Sequence, residues 1–81
     1  MAGEIMYFHI GMNVYMRQER VIGIFPATIL SSEFQRHNLT IVTHEVTEED
    51  AKACILTENQ ELHLSNVNCR TLRQRWNTSL V

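Results

Sequence analysis

Short apolar runs broken by polar punctuation run along this chain, and they predict strands rather than long helices. Tyr7-Phe8-His9-Ile10 reads as a strand stopped by Gly11, and Asn13-Val14-Tyr15-Met16 as a second after that turn. Val21-Ile22-Gly23-Ile24-Phe25 is apolar on both faces, which predicts a strand central in a sheet or covered by a helix. Pro26 ends it, because proline cannot donate to a ladder. Between Thr28 and Asn38 the period lengthens. Leu30 and Phe34 are four apart, Ser31 and Ser32 can cap, and Asn38 suits a left-handed stop, so a short helix ending near His37 is expected. Leu39-Thr40-Ile41-Val42-Thr43-His44 is a β-branched strand, and Thr47-Glu48-Glu49-Asp50-Ala51 a solvated acidic loop.

The last third carries the clearest local signals. Ala53-Cys54-Ile55-Leu56-Thr57 and Glu61-Leu62-His63-Leu64-Ser65 flank Glu58-Asn59-Gln60, a hairpin with a short polar turn. Asn68 reads as an N-cap, with Val67 and Leu72 as a hydrophobic staple. Leu72 and Trp76, at i and i+4, would dock the following helix onto the sheet. The expected fold is α+β. It is a small, mostly antiparallel sheet of five to six short strands with a short middle helix and a C-terminal helix, in the order β-β-β-α-β-β-β-α.

Composition narrows the class. The 81 residues are enough for one domain, and a chain of this size buries roughly 60–65% of its unfolded surface. Marginal stability follows, which a homo-oligomeric interface would offset. At 44% hydrophobic and 20% charged, with three glycines and one proline, the chain is neither disordered nor of low complexity. No apolar run approaches the roughly 18–20 residues of a membrane span, and the first residues show no secretory pattern. Cys54 and Cys69 fit no zinc-ligand or CxxC spacing and are expected as reduced thiols, so the protein is expected to be cytoplasmic.

The net charge of −2 argues against a dedicated nucleic-acid binder, but its distribution is uneven. Residues 1–40 balance, residues 41–65 carry −5, and residues 66–81 carry +3 with no acid. Whether this bipolarity persists in space depends on the fold.

Little in the sequence suggests catalysis. His9, His44 and His63 fall on expected strands and His37 ends a helix, with no HxH or HExxH spacing, so no metal or other cofactor is expected. Cys54 lies mid-strand in an apolar setting, and Cys69 at a helix start is the one weak nucleophile signal. Gly3, Gly11 and Gly23 are isolated and form no phosphate loop. The arginines say more. Arg17 and Arg20 bracket Gln18-Glu19 beside the third strand, where a phosphate or carboxylate contact is well positioned, or where Glu19 simply pairs with an arginine. On the last helix Arg73 and Arg75 flank the Leu72–Trp76 stripe and Arg70 points away from it. They form a possible additional basic surface, although helix solubilisation, with favourable charge near the helix C-terminus, is the better account of Arg70 and Arg75.

Two stretches together carry a resemblance. Met6-Tyr7-Phe8-His9-Ile10-Gly11 followed by Arg20-Val21-Ile22-Gly23-Ile24-Phe25 is similar to the opening of the RemA/RemB family of small bacterial extracellular-matrix regulators. Ala53-Cys54-Ile55-Leu56-Thr57 through Leu64-Ser65 and Thr71-Leu72-Arg73-Gln74-Arg75 resembles that family's closing hairpin and helix, nearest the RemB branch. On this basis residues 6–81 form the domain and residues 1–5 an N-terminal extension.

The resemblance implies a non-enzymatic, DNA-binding transcription regulator of biofilm-matrix genes. It further implies assembly into a homo-oligomeric ring and contact with double-stranded DNA through arginines. Arg20 occupies the position of a family arginine before the third strand, with Arg17 nearby. In the loop before the hairpin only Lys52 remains as a cation beside Glu48, Glu49 and Asp50. No membrane or small-molecule partner is implied. Those three acids motivate the alternative, an interaction or scaffolding module of the same fold that no longer binds DNA. A continuous belt of Arg20 side chains on one exposed face of an oligomer favours DNA; an Arg20 buried in an ion pair favours the alternative.

Overall fold

A computed structural model describes residues 6–31 and 38–78. Tyr7–Gly11 (β1) and Val14–Arg17 (β2) form an antiparallel two-stranded ribbon. Val21–Pro26 (β3), Thr40–Val42 (β4), Ala53–Thr57 (β5) and Glu61–Ser65 (β6) form a second sheet in the order β3-β5-β6-β4. Cys69–Thr78 is the helix α1. The α+β class and six short strands match expectation, as do the bounds of the β5–β6 hairpin. The strands divide into two sheets rather than one.

Three local expectations differ. In place of the middle helix, Ala27–Ser31 forms only a 3-10 turn, and the remainder of that segment, 32–37, lies outside the described residues. β4 is shorter than expected and pairs with β6 in parallel, Thr40 facing Glu61 and Val42 facing His63. His44 therefore falls beyond the strand, in a turn where it and Glu45 take φ of 50° and 66°. Of the two settings expected for β3, the central one fails and the helix neighbour holds: it is an edge strand with Ile22 64% exposed, Ile24 packs into one core cluster, and α1 lies beside the strand.

The period of two along β5 sorts the core into two layers. Ala53 and Ile55 join Phe8, Ile10, Met16, Ile24 and Leu72 on one face, where Val67 and Trp76 also pack. Cys54 joins Val46, Leu62 and Leu64 on the other, beneath Ala27, Ile29, Leu30 and Ala51. The ribbon and α1 thus cover one face of the four-stranded sheet, and the 3-10 turn and the acidic loop cover the other.

The N-cap and staple anticipated for α1 are present: Asn68 Oδ1 accepts from the Thr71 amide at 2.9 Å, and Leu72 is fully buried. Replacing a fully buried leucine by alanine typically costs about 2–5 kcal/mol. The helix is then tied to both sheets by its arginines. Arg73 Nη2 donates to the Ile24 carbonyl on β3 at 2.8 Å, and Arg75 Nη1 to the His9 carbonyl on β1 at 3.0 Å. Gln18 Nε2 donates to the Trp76 carbonyl at 3.0 Å, and Trp76 Nε1 returns a bond to the Gln18 carbonyl at 3.3 Å. Ser65 Oγ, from β6, donates to the Ile10 carbonyl at 2.6 Å.

The ribbon turn requires unusual backbone. Gly11 has φ 101°, and a Cβ there would stand 2.3 Å from Asn66 Oδ1. Met12 and Asn13 follow at φ 53° and 60°, both in the left-handed region that a two-residue hairpin connection favours. Asparagine tolerates that region; methionine does so at a cost of roughly 1 kcal/mol. Gly11→Ala is therefore expected to lower unfolding free energy by about 1–3 kcal/mol, and Met12→Asn to raise it by roughly 0.5–1 kcal/mol. Urea titrations of the two variants check both signs.

Candidate functional site

The cations singled out in the sequence occupy three different settings. Arg17, at the end of β2, pairs with Glu19 in the 3-10 turn Gln18–Arg20. Arg20 closes that turn, and its carbonyl accepts from the Glu58 amide at 3.0 Å. Its guanidinium reaches Glu61 Oε1 at 3.7 Å, each side chain about one-third exposed. Lys52 is exposed, with its amide donating to the Ser65 carbonyl at 2.8 Å. Because β3 and β5 are antiparallel with Pro26 facing Ala53 and Val21 facing Thr57, Arg20 and Lys52 sit at opposite ends of the pair. A strand of that length separates them by roughly 17 Å. Arg17, Arg20 and Lys52 do not converge on one phosphate.

Helix α1 presents the opposite case. It carries Arg70, Arg73 and Arg75 and no acidic residue. Among the described residues, none of the three forms an ion pair with a carboxylate. Arg73 and Arg75 are oriented by neutral backbone carbonyls, not by carboxylates; Arg70 and Arg73 are exposed and Arg75 is half-buried. The acids Glu48, Glu49 and Asp50 are exposed on the loop that packs over the other face of the sheet. The charge asymmetry along the chain is therefore an asymmetry in space.

Around Arg20 the fold builds a polar network that the spacing of histidines did not reveal. Glu61 and His63 are two apart on β6 and share a face with Ile55 of β5, His63 lying opposite Ile55 in the register. His63 Nε2 meets Glu61 Oε1 at 3.0 Å, and His63 Nδ1 meets His44 Nε2 at 2.7 Å. The imidazole planes are 17° apart with centroids separated by 4.9 Å, close to the bond plus one ring radius at each end. The rings thus meet edge to edge in line.

The protons follow from that geometry. A carboxylate only accepts, so His63 carries hydrogen on Nε2. Its bare Nδ1 then accepts from His44 Nε2–H. An added proton on His44 Nδ1 leaves the chain of bonds intact, whereas one on His63 Nδ1 breaks it. Burial lowers the pKa of both imidazoles below the ordinary 6.5, Glu61 opposing the shift in each case and Arg20 and His44 adding to it at His63. In-line nitrogens with no space between them do not chelate an ion. Among the described residues no three His, Cys, Asp or Glu side chains come together as metal ligands.

Cys54 is buried and Cys69 half-buried, and both are free thiols. No helix among the described residues is long and apolar enough to cross a membrane. No family model matches the chain, and no curated protein matches it.

The histidines set a pH dependence. Folding holds them neutral, while the unfolded chain takes up protons below about 6.5, so unfolding is promoted by acid. Their contribution is fully present above 6.5 and is lost as pH falls through the lowered folded values. The thermal midpoint is expected to drop between about pH 7.5 and 5.5, and His63→Gln to flatten that drop in a melting series over the same range.

Proposed function

We propose that the protein is an oligomeric DNA-binding regulator, the role implied by its resemblance to the RemA/RemB family. One observation carries this reading: α1 holds three arginines, bears no acid, and leaves all three without a carboxylate partner among the described residues. Lys and Arg that neutralise phosphates supply most nonspecific affinity for a duplex, and each is most effective where no acid competes for it. Arg20 is the weaker contributor in the free protein, because engaging a phosphate competes with Glu61. Display of the same arginines on several subunits would multiply a modest contact into useful avidity.

A second reading has its own support. Arg17 and Arg20 are both held by acids, and Glu48, Glu49 and Asp50 stand exposed beside Lys52. An interaction or scaffolding module that has given up DNA contact would have these features.

Fluorescence anisotropy with a labelled duplex over a salt series separates the two. The DNA reading expects low-salt binding that weakens steeply with salt. Arg70→Ala, which disturbs no bond within the fold, should weaken it uniformly across sequences and reduce the salt slope by about one. Arg20→Ala should weaken it less. Absence of binding at low salt by folded, assembled protein would leave the interaction module.

A further inference from the structure

The ribbon has an outer face that the core does not use. Phe8 and Met16 lie opposite each other and point inward, so their neighbours in the register, Tyr7 opposite Arg17 and His9 opposite Tyr15, line the other side. Tyr7 is 54% exposed and Tyr15 64%. They stand on a diagonal of the pairing, which places such residues roughly 7–8 Å apart. The His9 ring lies 4.9 Å from that of Tyr15, and Arg75 reaches it from α1, with Nη1 3.5 Å from His9 Nδ1. Beside this face runs an open groove of about 690 Å³ between β1 and α1. Met6, Tyr7, Phe8 and His9 line it from the strand side; Thr71, Gln74, Arg75 and Thr78 line it from the helix.

Single exposed aromatics are ordinary on a protein surface. Two tyrosines on one face of a ribbon, interleaved with an imidazole and edged by guanidinium, amide and hydroxyl groups, form a more particular combination. Exposed tyrosine rings offer faces on which bases stack, and the Thr71, Gln74, Arg75 and Thr78 side of the groove suits a sugar–phosphate backbone. In an intact duplex the base faces are already occupied by their neighbours, so these rings have nothing to stack on. Beside this face Arg75 is a cation with no carboxylate partner among the described residues, which suits a polyanion.

We propose that the outer face of the β1–β2 ribbon and the adjoining groove bind an unpaired nucleic-acid strand. Bases stack on Tyr7 and Tyr15, and the backbone lies against Arg75, Gln74, Thr71 and Thr78. This deepens the nucleic-acid reading above and rests on it, since α1 supplies cations to both.

The test is anisotropy with a labelled 12-nucleotide single strand, as DNA and as RNA, beside the duplex of the same sequence. Single-strand binding is expected for the unaltered protein. Tyr7→Ala and Tyr15→Ala should each weaken it roughly five- to hundredfold, Tyr15→Phe should retain it, and duplex affinity should be unchanged in all three. Both tyrosines are exposed, and circular dichroism verifies that the variants fold. Duplex binding without single-strand binding, or single-strand binding indifferent to both tyrosines, overturns the inference and leaves the duplex reading standing. Failure to bind either nucleic acid removes both. Self-association that Tyr15→Ala abolishes, seen by size-exclusion chromatography without oligonucleotide binding, assigns the face to a second copy instead.

Discussion

The arrangement of the whole molecule depends on how α1 spans two sheets that share no backbone ladder and are joined directly by the Ser65 Oγ bond to the Ile10 carbonyl. Leu72 supplies the apolar contact that brings the helix onto the sheet face, fully buried among Ile24, Ile55 and the inward residues of the ribbon. Position is then fixed by polar bonds at three points: Arg73 on β3, Arg75 on β1, and the reciprocal Gln18–Trp76 pair at the end of the helix. Carbonyls on strand edges attract other chains when left open. Here guanidinium groups take two of them, in a donor–acceptor match that needs no carboxylate. The same side chains that hold the fold together therefore keep their charge.

That economy shapes the surface. One side of the four-stranded sheet ends in an arginine-bearing helix and an aromatic ribbon, the other in a loop with Glu48, Glu49 and Asp50. With a net charge of only −2, the chain would be a poor polyanion ligand if its charges were mixed. Segregation onto opposite faces gives one side a local field that the sum conceals. The Arg20–Glu61–His63–His44 network lies on the arginine side and binds its cation internally, so the site first suggested by position before β3 is the one whose charge the fold has largely used.

Local signals in the sequence were read well because local physics sets them. The β5–β6 hairpin, the Asn68 cap and the Val67–Leu72 staple each involve residues within a few positions of one another. The misreadings share the opposite property. The parallel β4–β6 pairing joins residues twenty-one apart and carries no turn signature, so the sequence does not place His44 beside His63. The i, i+2 spacing of Glu61 and His63 on an expected strand did put them on one face, and that was the available clue to the network. β3 reads equally as central or helix-covered, because composition does not distinguish a helix neighbour from a strand neighbour; its apolar residues serve the sheet core and the flank of α1. On α1 the helical wheel placed Arg73 and Arg75 beside the buried stripe correctly. That they bond to backbone carbonyls rather than to acids or water depends on β1 and β3, which the wheel does not contain.

On the proposed function, the working surface is the α1–ribbon side of the sheet and not the acidic side. A nitrogen–proton correlation spectrum recorded during titration with an oligonucleotide reads this residue by residue. Shifts are expected to concentrate at Tyr7, His9, Tyr15 and the side chains of Arg70, Arg73 and Arg75, with residues 45–52 unmoved. Shifts centred on 45–52 and the turn at Ala27–Ser31, with α1 silent, would contradict it.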